Sequence, residues 1–148
     1  MNAIFPGSFY PFTIGHKDIL DQALRIFDKV YVCYGKNPNK TLSGEFVVLI
    51  DEQMDKLDDL YGDKIEIVKY DCLLSDLCER LDCYNIIRGL RNSKDFEYEK
   101  ELANISKSIN NQVNTMFFVA SDPKLEFMSS SFVREMYKYN KNISKFII

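Results

Sequence analysis

The chain is short of the residues that build metal sites and carries no excess of the charge that binds polyanions. Its 148 residues hold one histidine, His16, and four cysteines, Cys33, Cys72, Cys78 and Cys83, without a C-x-x-C pair. That is a poor zinc-ligand set, and Cys33 and Cys78 read instead as small core residues on apolar faces. The balance of 19 basic and 22 acidic residues gives −3, so nothing overall draws the chain to nucleic acid or to a membrane surface. Any anion site must be a local concentration of donors. No apolar run approaches the roughly 18 residues of a membrane span, and no signal-peptide pattern opens the chain. Neither a Walker A sequence nor G-x-G-x-x-G is present, which argues against a P-loop enzyme and a dinucleotide binder. Repeats, low-complexity stretches and linkers are also missing. The expectation is one soluble, reduced, cytoplasmic domain over residues 1–148, with 46% hydrophobic content sufficient for a core.

What is present alternates. Residues 2–6 read as a strand and 15–27 as a helix, with Ile19, Ala23 and Phe27 on one face and Leu20 and Leu24 beside them. Strands follow at Lys29–Tyr34, Lys64–Lys69, Asn85–Ile87 and Thr115–Ala120. Helices fall between and after them, at Glu45 to about Leu60 with Ser43 as a candidate N-cap, at Leu73–Leu81, at about Asp95–Ile109 and at Ser129–Tyr139. Five strands alternating with helices predict a doubly wound, Rossmann-like α/β domain with a five-stranded parallel sheet. Ligands of such sheets bind beyond the carboxyl ends of the strands, where the strand order reverses.

The chemistry-bearing residues sit where that rule wants them. Gly7-Ser8-Phe9-Tyr10-Pro11-Phe12-Thr13-Ile14-Gly15-His16 joins the first strand to the first helix. A strand, a tight Gly/Pro turn and a helix N-terminus present backbone N–H groups to a phosphate, and His16 in the first turn adds a side-chain donor. The neighbouring glycines and Ser8 favour that role over a plain helix cap. Lys36 and Lys40 follow the second strand, Leu73 and Leu74 the third, and Arg88-Gly89-Leu90-Arg91 the fourth. The fifth leads to Ser129-Ser130-Ser131, with Arg134 one turn later. Cations, helix N-termini and one histidine converging on one edge suit a polyphosphate.

Three strings in order, G-S-F-x-P-x-T-x-G-H, I-R-G-L-R-x-x-x-D-F-E-Y-E-x-x-L-A and S-S-S-x-V-R-E, make the chain similar to the phosphopantetheine adenylyltransferases over about Asn2 to Phe146. The first string is shared with cytidylyltransferases and nicotinate-nucleotide adenylyltransferases, whereas the second is far more specific. The resemblance implies adenylyl transfer from ATP to 4′-phosphopantetheine, giving dephospho-coenzyme A and pyrophosphate. It also implies Mg²⁺ arriving with the triphosphate and a closed homo-oligomer, typically a hexamer. By resemblance, His16 meets the α-phosphate, and Lys40 holds phosphates of both substrates. Ser8 and Phe9 lie against ATP and the incoming phosphate, Arg88 takes the pantetheine phosphate, and Leu74 holds the pantetheine arm. Gly89, Leu90, Arg91 and Glu99 contact ATP, and Leu125, Glu126, Phe127, Met128, Ser129, Ser130 and Ser131 wrap the nucleotide. Taken alone, Glu97, Glu99 and Glu101 look like charges on a solvated helix, and Phe96, Tyr98 and Leu102 like packing or subunit contact.

Tyr10 departs from the family, giving F-Y-P where F-D-P is usual, and the chain stops at Ile148 where many members continue. Two other readings stand beside the first: a related transferase with nicotinate mononucleotide or a sugar or glycerol phosphate as acceptor, and an inactive nucleotide-binding homologue. The R-G-L-R-x-x-x-D-F-E-Y-E string argues against the former, and Tyr10 alone supports the latter.

Overall fold

A computed structural model describes residues 1–35 and 44–148. The expectations for Lys36, Lys40 and the Ser43 cap lie outside the described residues. The described elements are β1 (Asn2–Gly7), α1 (Ile14–Ala23), β2 (Lys29–Gly35), α2 (Gly44–Tyr61), β3 (Ile65–Tyr70), α3 (Leu74–Leu81), β4 (Asn85–Leu90), α4 (Ser93–Ile109), β5 (Asn114–Val119) and α5 (Ser130–Lys138). All strand pairings are parallel, in the order β3-β2-β1-β4-β5. The expected parallel α/β sheet is therefore observed, and its order reverses between β1 and β4.

Period-2 alternation along the strands divides the core. Ala3 and Phe5 of β1, Val30 and Val32 of β2 and Ile87 of β4 point to one face, where Ile19, Leu20 and Ala23 of α1 and Phe46, Ile50, Met54 and Leu57 of α2 cover them. The intervening residues Ile4, Cys33 and Ile86 point to the other face, against Leu77 and Cys78 of α3. Burial pushes the Cys33 thiol up to about 12 and the Cys78 thiol up to about 11, so both are small apolar residues at neutral pH.

Two element boundaries differ from the sequence expectation by more than two residues. Helix α1 closes at Ala23 rather than residue 27, because Asp28 N–H donates to Met1 O at 2.9 Å and draws the chain into β2. Strand β4 runs to Leu90 rather than Ile87. Arg88, Gly89 and Leu90 interrupt its apolar run, yet they remain paired with Phe117, Phe118 and Val119 of β5. Pairing with a neighbour outweighs a weak local pattern. Since β1 meets β4 at Ile4–Ile86, these three residues sit beside the switch point.

Candidate active site

A cavity of about 400 Å³ opens at that switch point, within the size range of small-molecule sites. Of the sequence-predicted residues, the structure gathers Ser8, Phe9, His16, Arg88, Gly89, Leu90, Arg91, Glu99, Leu125, Met128, Ser129, Ser130 and Ser131 around it. Glu126 and Phe127 are exposed and lie outside its lining, with Phe127 packed on Phe132 at 5.8 Å. Leu74 opens α3, packs with the core on the sheet face opposite α1, and also lies outside the lining.

The Gly7–His16 turn is built from aromatic packing. Phe9 adopts the left-handed region at φ 44°, a conformation a bulky residue holds only when its surroundings impose it. They do: its ring is buried against Phe5 at 5.2 Å, Phe12 at 4.9 Å and His16 at 5.1 Å. The Phe9 side chain thus belongs to the core. A side chain at Gly7 would strike that ring at 2.7 Å, and one at Gly15 would strike the Met128 carbonyl at 2.9 Å. Glycine at residue 15 lets the first turn of α1 touch the backbone of the 120–131 segment.

His16 combines two roles that the sequence reading set against each other. Thr13 is the N-cap of α1, its hydroxyl accepting from His16 N–H at 3.3 Å. In return, the Thr13 amide donates to His16 Nδ1 at 2.9 Å. This is a capping box with histidine in the place usually held by Glu or Gln. The donated bond needs the Nδ1 lone pair, which puts the proton of the neutral ring on Nε2. His16 is therefore both a cap and a cavity residue with its tautomer set.

The cations are oriented rather than loose. Arg88 donates to Pro6 O at 3.2 Å and forms a 3.3 Å ion pair with Glu99, whose buried Oε2 falls short of hydrogen-bond alignment. Glu99 is thus folded under the cavity wall, not spread on a solvated helix face. Arg91 is forked onto Asp95, Nε to Oδ2 at 3.0 Å, with its side chain 40% exposed. Ser129 caps α5 by accepting from Phe132 N–H at 3.0 Å. Ser130 donates to Pro11 O at 2.7 Å, and Ser131 accepts from Arg134 at 3.1 Å. What α5 offers the cavity is therefore backbone N–H groups of its first turn, whereas in α1 Ile14 N–H is taken by Phe146 O and His16 N–H by the Thr13 hydroxyl.

Arg134 is not one of the cavity cations. It donates to Tyr10 O at 2.5 Å and its guanidinium lies 4.9 Å over the Tyr10 ring, which packs on Phe46 at 5.1 Å. Tyr10 is buried and outside the lining, so it takes the departure from F-D-P into the turn's support. Sequence reasoning missed Gln53, fully buried on α2, whose amide accepts from Phe12 N–H and donates to Phe12 O, both at 2.8 Å. No local signal could have marked it, since 41 residues separate the partners. Asp95 was findable, because Arg91–Asp95 is an i,i+4 pair. Among the described residues no cluster of His, Cys, Asp or Glu could hold a metal, and Glu99 is the one carboxylate in the lining.

The parallel sheet carries its cavity at the switch point, and residues 4–136 match the Cytidylyltransferase-like family, which places the chain among the α/β nucleotidyltransferases. A Plasmodium falciparum nicotinic acid mononucleotide adenylyltransferase shares the fold, with a TM-score of 0.63 at 17% identity over 99% of this chain and 89% of that one. The chain belongs to the phosphopantetheine adenylyltransferase family. It is 38% identical to the Bacteroides thetaiotaomicron member over 98% of its own length and 93% of the relative's. With the Staphylococcus haemolyticus member it shares 39%, over 98% and 88% of the two chains.

Proposed function

We infer that the protein transfers the adenylyl group of ATP to 4′-phosphopantetheine, producing dephospho-coenzyme A and pyrophosphate for coenzyme A biosynthesis. The observation that supports this is the convergence of His16, Arg88, Arg91 and the N-terminus of α5 on one cavity at the β1/β4 switch point. A phosphate oxygen of the acceptor attacks the α-phosphorus in line, the bond from that phosphorus to the bridging oxygen breaks, and pyrophosphate leaves. The reaction needs no covalent nucleophile from the protein, so the rate comes from positioning and charge stabilisation.

His16 Nε2–H donates to the α-phosphate as charge builds on its oxygens. Arg88, with N–H groups beyond those committed to Pro6 and Glu99, takes the acceptor phosphate. Arg91 and the first turn of α5 take the β,γ-phosphates, Gly89 and Leu90 border the nucleotide, and Lys40 bridges both substrates. Mg²⁺ enters as part of the ATP substrate, held by phosphate oxygens and water, in keeping with a lining that has one carboxylate already paired with arginine. The protein works as a closed homo-oligomer, a hexamer by family likeness, in the cytoplasm. Exposed Tyr98, Ile105 and Ile109 on α4 support a subunit contact there.

Pyrophosphate release from ATP, measured with phosphopantetheine, nicotinate mononucleotide and a sugar phosphate in turn, tests the reading. Release with phosphopantetheine alone is expected. Release with another acceptor would move the assignment within the superfamily, and none with any would favour the inactive homologue. Light scattering that gave a monomer would remove the oligomer.

A further inference from the structure

Helix α1 carries His16 at its first turn and, two residues on, a carboxylate outside the cavity that the proposed chemistry does not use. Asp18 accepts from Ser121 N–H at 2.9 Å, from the Ser121 hydroxyl, and from Gln22 Nε2 at 3.0 Å. Gln22 in turn donates to Val119 O at 2.9 Å. Val119 ends β5, and Ala120 and Ser121 open the segment that supplies Ala120, Leu125, Met128 and Ser129 to the cavity lining. One helix therefore grips the start of that wall through a backbone carbonyl and a backbone amide. The far end of the segment is fixed separately, by Ser130 on Pro11 O.

We propose that Asp18 is a positioning residue for the nucleotide: through Ser121, and through Gln22 on Val119, it sets the distance between the 120–131 wall and His16. The physical reason is rigidity. Two residues of α-helix span about 3 Å and do not stretch, so the phosphate donor and the wall's anchor move as one body. Charge-assisted hydrogen bonds from a carboxylate to a backbone amide are the strong kind, suited to holding an otherwise irregular segment. The anchor holds the wall from behind and not the Arg88 side of the cavity, so its loss should weaken one ligand selectively. This rests on the adenylyl-transfer reading, in which the 120–131 wall borders ATP.

The test uses the full chain and the variants Asp18→Ala, Asp18→Asn and Ser121→Ala. ATP and phosphopantetheine are titrated separately by calorimetry, and melting temperature is followed in parallel. Asp18→Ala should weaken ATP about tenfold, the scale of one lost hydrogen bond to a charged group, and phosphopantetheine less than about twofold. Asp18→Asn, which keeps an acceptor, should recover part of the loss. Ser121→Ala, at an exposed position that leaves the amide bond intact, should show a smaller loss for ATP alone, and adding it to Asp18→Ala should cost nothing more. Equal weakening of both ligands with a matching fall in melting temperature would make Asp18 merely structural, and unchanged ATP affinity in both variants would overturn the proposal. If the unsubstituted chain binds no ATP, the functional reading itself fails, and that control separates the two failures.

Discussion

The Gly7–His16 turn and helix α4 line the same cavity, yet they are fastened in opposite ways. The turn is gripped by buried or half-buried groups from several elements: Gln53 of α2 on Phe12, Ser130 and Arg134 of α5 on Pro11 and Tyr10, and the Phe146 carbonyl on Ile14 N–H at 2.9 Å. Helix α4 has no buried residue in 17, and its cavity end is held by the Arg91–Asp95 and Arg88–Glu99 ion pairs. Buried hydrogen bonds to neutral backbone groups are costly to break and little affected by salt, whereas the more exposed Arg91–Asp95 ion pair is weak and screened. The chain therefore holds the His16 side of the cavity rigidly and leaves the Arg91 side adaptable, which on the proposed function separates the reacting α-phosphorus from the incoming charged groups.

The sharpest way to break that comparison is His16→Ala. Losing a donor that acts chiefly as charge develops should cut turnover by roughly 10² to 10³, with a much smaller change in ATP affinity. Because the capping box goes with it, stability should also fall by about 1 kcal/mol, visible in the melting curve. Near-normal turnover per folded molecule would leave His16 as a cap only. Next comes Gln53→Leu, which strands Phe12 N–H and C=O in the core. We expect a loss of roughly 3 kcal/mol, about 10 °C in melting temperature, and turnover down about tenfold as the turn relaxes. A variant as stable and active as the parent would show that the turn does not depend on α2.

On the other wall, Asp95→Ala should cost under about 1 kcal/mol of stability. Its KM for ATP should rise only a few-fold, and the gap from the parent should close at high salt, because the Arg91 side chain is 40% exposed. A turnover loss equal to that of His16→Ala would erase the distinction between the walls. The smallest effect on rate is expected from Tyr10→Asp. Arg134, now stacked on the Tyr10 ring, would meet a carboxylate instead. Turnover should stay within about twofold while the lost ring packing on Phe46 lowers the melting temperature, since large-to-small changes in the core cost a few kcal/mol, roughly. A tenfold fall in turnover, about 1.4 kcal/mol of barrier, would mean that Tyr10 serves the reaction.

Local pattern and local chemistry determined a good deal by themselves. The alternation of apolar runs and amphipathic stretches was enough for five parallel strands and their helices, because strand and helix periods are set by neighbours along the chain. Glycines beside Ser8 and His16 were enough to mark a tightly packed turn, where the structure shows Gly7 making room for the Phe9 ring and Gly15 for the Met128 carbonyl. Tertiary structure alone decided the rest. Glu99 reads as a solvated helix charge until β4 carries Arg88 to within 3.3 Å of it. Arg134 reads as a cavity cation until α5 lays it over Tyr10. Gln53 on Phe12 and Asp18 on Ser121 join residues 41 and 103 positions apart. Such pairs leave no trace in sequence spacing, because it is the strand order β3-β2-β1-β4-β5 that brings their elements together.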